Sequence, residues 1–252
     1  MPQTIDAIRE RRERAGILLD FDGTLARIVP TPEEARPVPG AVGVLRELRR
    51  RYRSVAVVSG RRAADVWERI EGAARCFGLY GLEDERGPTR WALEPRPDLD
   101  EVVEQVRTIA AAVPGARVED KGPHVAIHYR AARDPGAGSL LRSRLLPLAD
   151  RAGLRLLEGK QVLELAPRGG PTKGDVVREV ARADELQAIL FAGDDLGDVD
   201  AFAAVDELAQ VPSCVGVTVA VRSAETPPAV VDAATTSVEG PERLVELLRS
   251  LL

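Results

Sequence analysis

Short apolar segments that end at glycine-containing turns recur along this chain, and most are followed by residues at helical spacing. Residues 17–21 lead into Asp-Gly, residues 55–58 into Ser-Gly, and residues 188–192 into Gly-Asp-Asp. Such segments indicate buried strands, and strands that alternate with helices form a parallel sheet covered on both faces. We therefore predict an α/β fold with a doubly wound, Rossmann-like core. Further strands are predicted at 78–82 and 217–221, and helices at 40–52, 62–70, 174–183 and 241–251.

The middle of the chain breaks this alternation. Two helix–strand–strand units follow one another, with predicted elements at 99–113, 117–120, 124–129, 140–152, 154–157 and 161–166. Strand pairs joined by short turns predict an antiparallel sheet with the two helices on one face. We therefore expect residues 98–167 to form an inserted α+β cap domain, and residues 1–97 and 168–252 to form the catalytic core.

Composition narrows the class of protein. The formal net charge is −5, which gives no electrostatic support to a nucleic-acid-binding role. The cysteines, Cys76 and Cys214, are too far apart in sequence for a CxxC redox or zinc motif. Residues 1–14 lack the apolar core of a signal peptide, and no apolar run is long enough to cross a membrane. We expect a cytoplasmic protein without a membrane partner; the oligomeric state is not readable, and a monomer fits the sequence.

The hexapeptide Asp-Phe-Asp-Gly-Thr-Leu at 20–25 places two carboxylates at the end of the first predicted strand. In an extended chain Asp20 and Asp22 point to the same side. One carboxylate can attack a phosphorus atom while the other donates a proton to the leaving oxygen. Asp-Gly is also common at ordinary strand-to-turn junctions. The whole hexapeptide after an apolar strand favours the phosphoryl-transfer reading.

Two further segments supply groups that bind phosphate. Ser59, Gly60 and Arg61 follow the second strand, where a hydroxyl and backbone N–H groups at a helix start form an anion site. The alternative for Ser59 is a simple helix N-cap. Lys173 lies at the entry to a helix, where its charge can offset that of a phosphate. The alternative for Lys173 is a solvated surface charge.

The segment Gly-Asp-Asp-Leu-Gly-Asp at 193–198 contains three aspartates that would repel one another without a cation. Mg²⁺ prefers oxygen ligands and needs few protein carboxylates, because it retains several waters. We predict a Mg²⁺ site formed by Asp20, the carbonyl of Asp22 and the carboxylate of Asp194, with Asp195 and Asp198 acting through water or as anchors. An acidic loop without a metal is the alternative.

These four segments, in this order, resemble the haloacid dehalogenase superfamily of phosphatases. The resemblance implies that Asp20 is the nucleophile and Asp22 the general acid and base. It also implies that Ser59 and Lys173 bind phosphate and that Asp194 binds Mg²⁺. The insert resembles the larger cap class of that superfamily, whose cap closes over the core and recognises the leaving group.

Within the superfamily the chain is most similar to the trehalose-6-phosphate phosphatase family, through its segments at 79–83, 119–122, 128–130 and 158–164. The resemblance implies that cap residues bind a sugar phosphate by hydrogen bonds to its hydroxyls. The candidate ligands are Lys121, His128, Arg130, Glu158, Lys160 and Glu164. The alternatives are structural: a hairpin turn for Lys160, exposed strand positions for Glu158 and Glu164, and a sheet position for His128.

One departure from the family pattern concerns the substrate. Gly197 and Val199 occupy places where the pattern has Thr and Glu. We expect trehalose 6-phosphate to be the substrate, through an aspartyl-phosphate on Asp20. Sucrose phosphate, mannosyl-phosphoglycerate and monosaccharide phosphates are the alternatives within the same mechanism. A non-catalytic sugar-phosphate-binding module is the alternative from another class, although Asp20, Asp22, Lys173 and Asp194 are all retained.

Overall fold

The described residues, 2–91 and 99–252 of this computed structural model, divide into two units. Unit 1 contains residues 2–91 and 171–252, and unit 2 contains residues 99–170. The first domain border expected from the sequence, at 97/98, lies outside the described residues. The second, at 167/168, falls close to the observed division at 170/171. The functions of a catalytic core and a cap stay predictions.

The strands of the described chain are numbered in chain order. They are β1 (Ala15–Leu19), β2 (Ser54–Val58), β3 (Arg75–Gly78), β4 (Glu83–Asp84), β5 (Gly87–Pro88), β6 (Arg117–Asp120), β7 (Val125–His128), β8 (Leu154–Gly159), β9 (Val162–Pro167), β10 (Ala188–Gly193), β11 (Val215–Arg222) and β12 (Thr236–Glu239).

The α-helices of the described chain are numbered in the same way. They are α1 (Pro2–Glu10), α2 (Ala41–Arg51), α3 (Ala63–Arg69), α4 (Leu99–Ala111), α5 (Ala137–Ala152), α6 (Lys173–Ala183), α7 (Leu196–Ala209), α8 (Pro228–Asp232) and α9 (Gly240–Arg249). Among the described residues, none of these helices has both the length and the apolar character that crossing a bilayer requires.

Unit 1 is built on an eight-stranded sheet in the order β12-β11-β10-β1-β2-β3-β4-β5. The six strands from β12 to β3 are parallel, and β4 and β5 add antiparallel pairs at one edge. Leu45 of α2 and Leu244 of α9 pack with Leu19 on one face. Val177 of α6 and Phe202 of α7 pack with strand residues on the other face. The doubly wound α/β class predicted from the sequence is confirmed.

Unit 2 contains a four-stranded antiparallel sheet in the order β6-β7-β9-β8. Ile127 and Leu165 point to the face that α4 and α5 cover, where they join Val106 and Leu145 in one apolar cluster. Because side chains alternate along a strand, the polar residues between these apolar ones lie on the opposite face of the sheet. The antiparallel sheet and the two helices on one of its faces agree with the sequence prediction.

Several elements differ from the prediction: α1, α8, β4, β5 and β12 were not predicted, and two further differences concern the residues after β3 and the helix α7. The strand expected at 78–82 ends instead at Gly78, and Leu79–Gly81 forms a 3₁₀ turn. Leu79 and Tyr80 have positive φ angles, which an extended strand excludes. The helix α7 has no counterpart in the sequence analysis. Its apolar residues are not confined to a narrow stripe, because β10, β11, α6 and α8 all contact it.

Candidate active site

The loops that carry the predicted catalytic residues leave the parallel sheet at the same edge. Leu19, the last residue of β1, is level with Val57 in β2 and with Ala192 in β10. The segments beginning at Asp20, Ser59 and Gly193 therefore start side by side. The carboxyl edge of a parallel sheet is where open α/β folds bind ligands.

The first loop is closed tightly around Phe21. The carbonyl of Phe21 accepts hydrogen bonds from the N–H groups of Leu25 and Ala26, both at 2.9 Å. Gly23 has a φ of +82°, and a Cβ at this position would lie 1.9 Å from a carboxylate oxygen of Asp194. Only glycine therefore permits both this turn and the approach of Asp194 to the first loop.

Lys173 joins the first loop to the acidic segment. It is the first residue of α6, whose start is fixed by a capping box between Thr172 and Asp175. The Lys173 Nζ donates to Oδ1 of Asp20 at 2.6 Å and to Oδ1 of Asp198 at 2.7 Å. All three side chains are almost completely buried. The capping box thus places a buried ammonium group between two carboxylates that are far apart in sequence.

The three aspartates of the acidic segment make different contacts. Asp194 is buried, and its Oδ1 accepts a hydrogen bond from the hydroxyl of Thr24 at 3.4 Å. Asp195 is the N-cap of α7, and its side chain accepts from the N–H of Leu196 at 2.8 Å. Oδ2 of Asp198 accepts from the N–H groups of Asp194 and Asp195 at 2.9 and 3.0 Å. Asp198 therefore closes the turn that aims Asp194 toward the first loop.

Asp20, Asp194 and Asp198 form a buried acidic cluster in which one carboxylate oxygen from each residue lies within 4.8 Å of the other two. Burial raises the pKa of Asp20 well above its usual value; Lys173 opposes this rise, and Asp198 and Asp194 reinforce it. Burial acts to lower the pKa of Lys173, but attraction to Asp198 and Asp20 raises it well above its usual value. The cluster thus contains three carboxylates and one ammonium group, so negative charge is in excess. A hard cation, which prefers oxygen ligands, would balance that excess.

Arg61 forms a two-pronged ion pair with Asp22. The Nε and Nη2 atoms of Arg61 donate to the two carboxylate oxygens of Asp22 at 2.6 and 2.9 Å. The Nη1 atom donates to Asp65 at 3.0 Å, and Nη2 also donates to the carbonyl of Pro32 at 2.8 Å. Burial acts to lower the pKa of Arg61, but the bonds to Asp22 raise it. The guanidinium therefore fixes the position of the Asp22 carboxylate.

Ser59 and Gly60 lie beside the first loop without capping the next helix. Ser59 is buried, and its Oγ accepts from the N–H of Arg61 at 3.2 Å. The N-cap of α3 is Arg62, so the capping alternative for Ser59 does not describe this structure. Ser59 follows β2 at the same sheet edge at which Asp20 follows β1, and the contact of its hydroxyl with phosphate stays a prediction.

In unit 2, Lys121 and Glu164 meet in a buried network that includes His124. The Lys121 Nζ donates to Oε2 of Glu164 at 3.1 Å, and Nδ1 of His124 lies 2.7 Å from Oε1. All three residues are almost completely buried. Burial acts to raise the pKa of Glu164, but Lys121 and His124 outweigh it and lower the pKa to about 2.

The other predicted sugar ligands do not all share this face of the sheet. Ala126 is paired with both Glu119 and Glu164, which therefore lie in one row, and His128 bonds to Glu119 at 2.7 Å. Glu158 is level with Leu163, a residue of the apolar face, and it bonds to Arg142 of α5 at 2.6 Å. The structure thus separates Glu158 from Lys121, His128 and Glu164.

Arg130 and Lys160 lie at the ends of the central strands of unit 2. The Nη2 atom of Arg130 donates to the backbone carbonyl of Lys160 at 3.1 Å. Lys160 immediately precedes Gln161, whose φ is +59°, in the turn between β8 and β9. This geometry brings the backbone of the turn to Arg130, while the contact of either side chain with a sugar stays a prediction.

Several residues of these networks were not identified from the sequence. Thr24 stands inside the hexapeptide, so its place beside the acidic cluster had a local signal. Asp65 follows Arg61 by four residues at the start of a helix, a spacing that allows an ion pair. Glu119 lies in the segment 119–122 that carries the family resemblance, but it was not selected as a ligand. His124 had no comparable signal, because its contact with Glu164 depends on the strand register.

The chain was compared with known proteins. The sequence model described as Trehalose-phosphatase matches residues 18–236. A "Trehalose-phosphate phosphatase" from Mycobacterium marinum is 35% identical over 204 residues, which cover 76% of this chain and 52% of that protein. Another from Mycobacterium leprae is 36% identical over 207 residues, covering 75% of this chain and 47% of that protein. The chain thus spans about half the length of these relatives.

Solved structures share the fold. The C-terminal domain of Candida albicans trehalose-6-phosphate phosphatase superposes with a TM-score of 0.84 and 22% identity, covering 99% of this chain and 95% of that domain. At this level of identity the likeness shows the arrangement of helices and strands alone. It agrees with the α/β core and the smaller antiparallel sheet described above.

Proposed function

This chain belongs to the trehalose-phosphatase family, and we propose that it hydrolyses trehalose 6-phosphate to trehalose and inorganic phosphate. The observation that carries the proposal is the buried contact of Lys173 with Asp20 and Asp198, at 2.6 and 2.7 Å. It lies at the carboxyl edge of a parallel sheet, with Asp194 in the same acidic cluster. This arrangement supports a phosphoryl-transfer site.

We propose that the cofactor is Mg²⁺. The acidic cluster offers only oxygen ligands, which suit this ion, and its three carboxylates outnumber the single ammonium of Lys173. Asp20, Asp194 and the carbonyl of Asp22 would hold the ion. Asp198 is bonded to Lys173 and to two backbone N–H groups, which supports an anchoring function for it. When bound, Mg²⁺ reduces the repulsion between an anionic nucleophile and an anionic phosphate.

The chain's own residues supply the remaining chemistry. A carboxylate oxygen of Asp20 attacks phosphorus, so that the phosphoryl group is transferred to Asp20 and the sugar oxygen leaves. Asp22 donates a proton to that leaving oxygen, and then accepts one from the water that hydrolyses the aspartyl-phosphate. The hydrogen bond from Lys173 favours the ionised form of Asp20 that attack requires. Arg61 fixes the direction of Asp22.

Phosphate and sugar recognition are proposed for two different surfaces. The Ser59 hydroxyl and the N–H groups of Gly60 and Arg61 would contact the phosphate at the edge of the unit 1 sheet. The polar face of the unit 2 sheet, with Lys121 and Glu164, would bind sugar hydroxyls. Carboxylates accept hydrogen bonds from hydroxyl groups and ammonium groups donate to them, so both directions are provided.

The test is a phosphate-release assay over a panel of esters, with and without Mg²⁺. The panel contains trehalose 6-phosphate, sucrose phosphate, mannosyl-phosphoglycerate and glucose 6-phosphate. We expect trehalose 6-phosphate to give the highest kcat/KM and activity to require the ion. Equal or faster hydrolysis of another ester would contradict the proposal that trehalose 6-phosphate is the substrate. The proposed mechanism would be unaffected.

Asp20→Asn tests the nucleophile, with Asp184→Asn as the matched control. Asp184 lies in the same unit and forms an ion pair with Arg75 at 3.2 Å, away from the acidic cluster. We expect Asp20→Asn to abolish turnover while trehalose 6-phosphate still binds, and the control to retain activity. A fully active Asp20→Asn variant would refute the assignment, and a wild-type chain that binds the ester without hydrolysing it would favour a non-catalytic module. The cytoplasmic location and the oligomeric state stay predictions.

A further inference from the structure

The turn that follows β3 has an unusual backbone and lies next to the proposed active site. Leu79 and Tyr80 have φ angles of +50° and +59°, and Gly81 follows with +116°. Residues other than glycine rarely adopt this left-handed region, and such conformations persist only where the surrounding structure enforces them. Contacts with neighbouring elements must therefore hold the turn in this conformation.

Two backbone hydrogen bonds attach the turn to the phosphate-binding segment. The N–H of Leu79 donates to the carbonyl of Arg61 at 2.8 Å, and the N–H of Tyr80 donates to the carbonyl of Ser59 at 3.0 Å. A Cβ on Gly81 would lie 2.6 Å from the side chain of Val176, so the turn also presses against the helix that begins with Lys173. The turn is thus held by the phosphate-binding segment on one side and by α6 on the other.

The hydroxyl end of the Tyr80 ring lies between two glycines of the site. A Cβ on Gly60 would lie 2.9 Å from both the Cζ and the hydroxyl oxygen of Tyr80, and 3.2 Å from Cε2. A Cβ on Gly197 would lie 3.6 Å from Cε1, on the other edge of the ring. Gly60 is next to Ser59, and Gly197 is next to Asp198. The ring therefore spans the loops on either side of the one that carries Asp20.

We infer that Tyr80 is a specificity-determining residue whose phenol contacts the sugar part of the phosphate ester beside the proposed phosphate site. The inference rests on the proposed function. A rigid ring with a polar hydroxyl suits a sugar, whose C–H groups pack on the ring while its hydroxyls bond to the phenol. Gly197 carries no side chain, so no side chain from this position covers the edge of the ring at Cε1.

Two substitutions at Tyr80 test the inference. Tyr80→Phe removes the hydroxyl and retains the ring, and Tyr80→Asn removes the ring while tolerating the left-handed backbone. Tyr52→Phe is the matched control, because the Tyr52 hydroxyl also lies in unit 1 and donates to the carbonyl of Leu251 at 2.8 Å. The measured quantity is the ratio of kcat/KM for trehalose 6-phosphate to kcat/KM for acetyl phosphate, an acyl phosphate with a small leaving group and no sugar.

We expect the ratio to fall about two- to tenfold in Tyr80→Phe, as for the loss of one hydrogen bond, and further in Tyr80→Asn. The control should retain the wild-type ratio. A ratio within about twofold of wild type in both Tyr80 variants overturns the inference and assigns the ring to structure alone. Should Tyr80→Asn fail to fold, Tyr80→Phe decides.

The same assay separates this inference from the proposed function. If the wild-type chain hydrolyses acetyl phosphate and a sugar phosphate other than trehalose 6-phosphate, only the proposed substrate is contradicted. The ratio is then measured with that other sugar phosphate. A wild-type chain that hydrolyses none of these phosphate compounds refutes the proposed function, and the inference with it.

Discussion

Replacing Glu164 by glutamine tests how strongly the buried network of unit 2 stabilises the fold. Glutamine has the shape of the carboxyl group but no charge, so it leaves Lys121 buried without its 3.1 Å anionic partner. The pKa of Glu164 is lowered from its usual 4.5 to about 2. A difference of this size corresponds to ~3 kcal/mol of stability at neutral pH, of the order measured when one member of a buried ion pair is removed.

The sign of the pH dependence follows from the direction of this change. A carboxyl group with a lowered pKa in the folded state contributes its full stability above pH 4.5 and loses it as the pH falls toward 2. The difference in the free energy of unfolding between wild type and Glu164→Gln should therefore narrow from ~3 kcal/mol at pH 7 to ~1 kcal/mol at pH 3. A gap that stays constant over this range would contradict the electrostatic origin of the stability.

Urea unfolding followed by circular dichroism measures the effect. Both tryptophans, Trp67 and Trp91, lie in unit 1, so their fluorescence reports that unit separately. Glu158→Gln is the matched control, because Glu158 lies in the strand next to β9 and its ion pair with Arg142 is about half exposed. We expect the free energy of unfolding of the control variant to fall by less than about 0.5 kcal/mol. Equal losses in the two variants would refute the reasoning.

Three further predictions concern the proposed active site in unit 1. Asp195→Ala should lower the free energy of unfolding by about 1 kcal/mol, because the N-cap of α7 is lost. The Mg²⁺ dependence of activity should be retained, and a large shift in the half-saturating Mg²⁺ concentration would contradict this. Lys173→Met should lower kcat by about 10²- to 10³-fold, because Asp20 loses its cationic partner, and steady-state kinetics that differ little from wild type would argue against that partnership. Arg61→Ala should lower kcat/KM for trehalose 6-phosphate by about 100-fold and kcat/KM for acetyl phosphate less. This constant reports the transfer to Asp20, in which only the sugar oxygen needs a proton from Asp22; equal falls for both substrates would count against this function.

Local sequence patterns identified the loops of the proposed site. They did not show which residues of different loops contact one another. The hexapeptide at 20–25 and the segment around Lys173 carry their turn chemistry within a few residues, so their places at a strand end and a helix start could be predicted. The pairing of Arg61 with Asp22 joins residues 39 positions apart. It depends on β1 and β2 being adjacent and level, which a single sequence does not reveal. The network of Glu164 depends in the same way on the register of β7 and β9.

Two of the missed elements, the turn after β3 and the helix α7, have a common physical cause. An apolar run at 79–82 resembles a strand, yet packing against neighbouring loops holds Leu79 and Tyr80 in a left-handed turn that no periodicity indicates. The helix α7 packs against elements on several sides, so its apolar residues do not form the single stripe that marks an amphipathic helix. In both cases tertiary contacts override the local pattern.

The acidic segment shows how three aspartates can be close together without each of them binding a metal. Repulsion alone would suggest that a cation joins them all, but Asp195 bonds to the helix start, and Asp198 bonds to Lys173 and two backbone N–H groups. Asp195 and Asp198 thus have structural contacts that do not depend on a metal. We propose that Asp194 and Asp20 are the carboxylates that would hold the metal. Because Mg²⁺ retains several waters and needs few protein ligands, a site with two carboxylates and one carbonyl is sufficient for it.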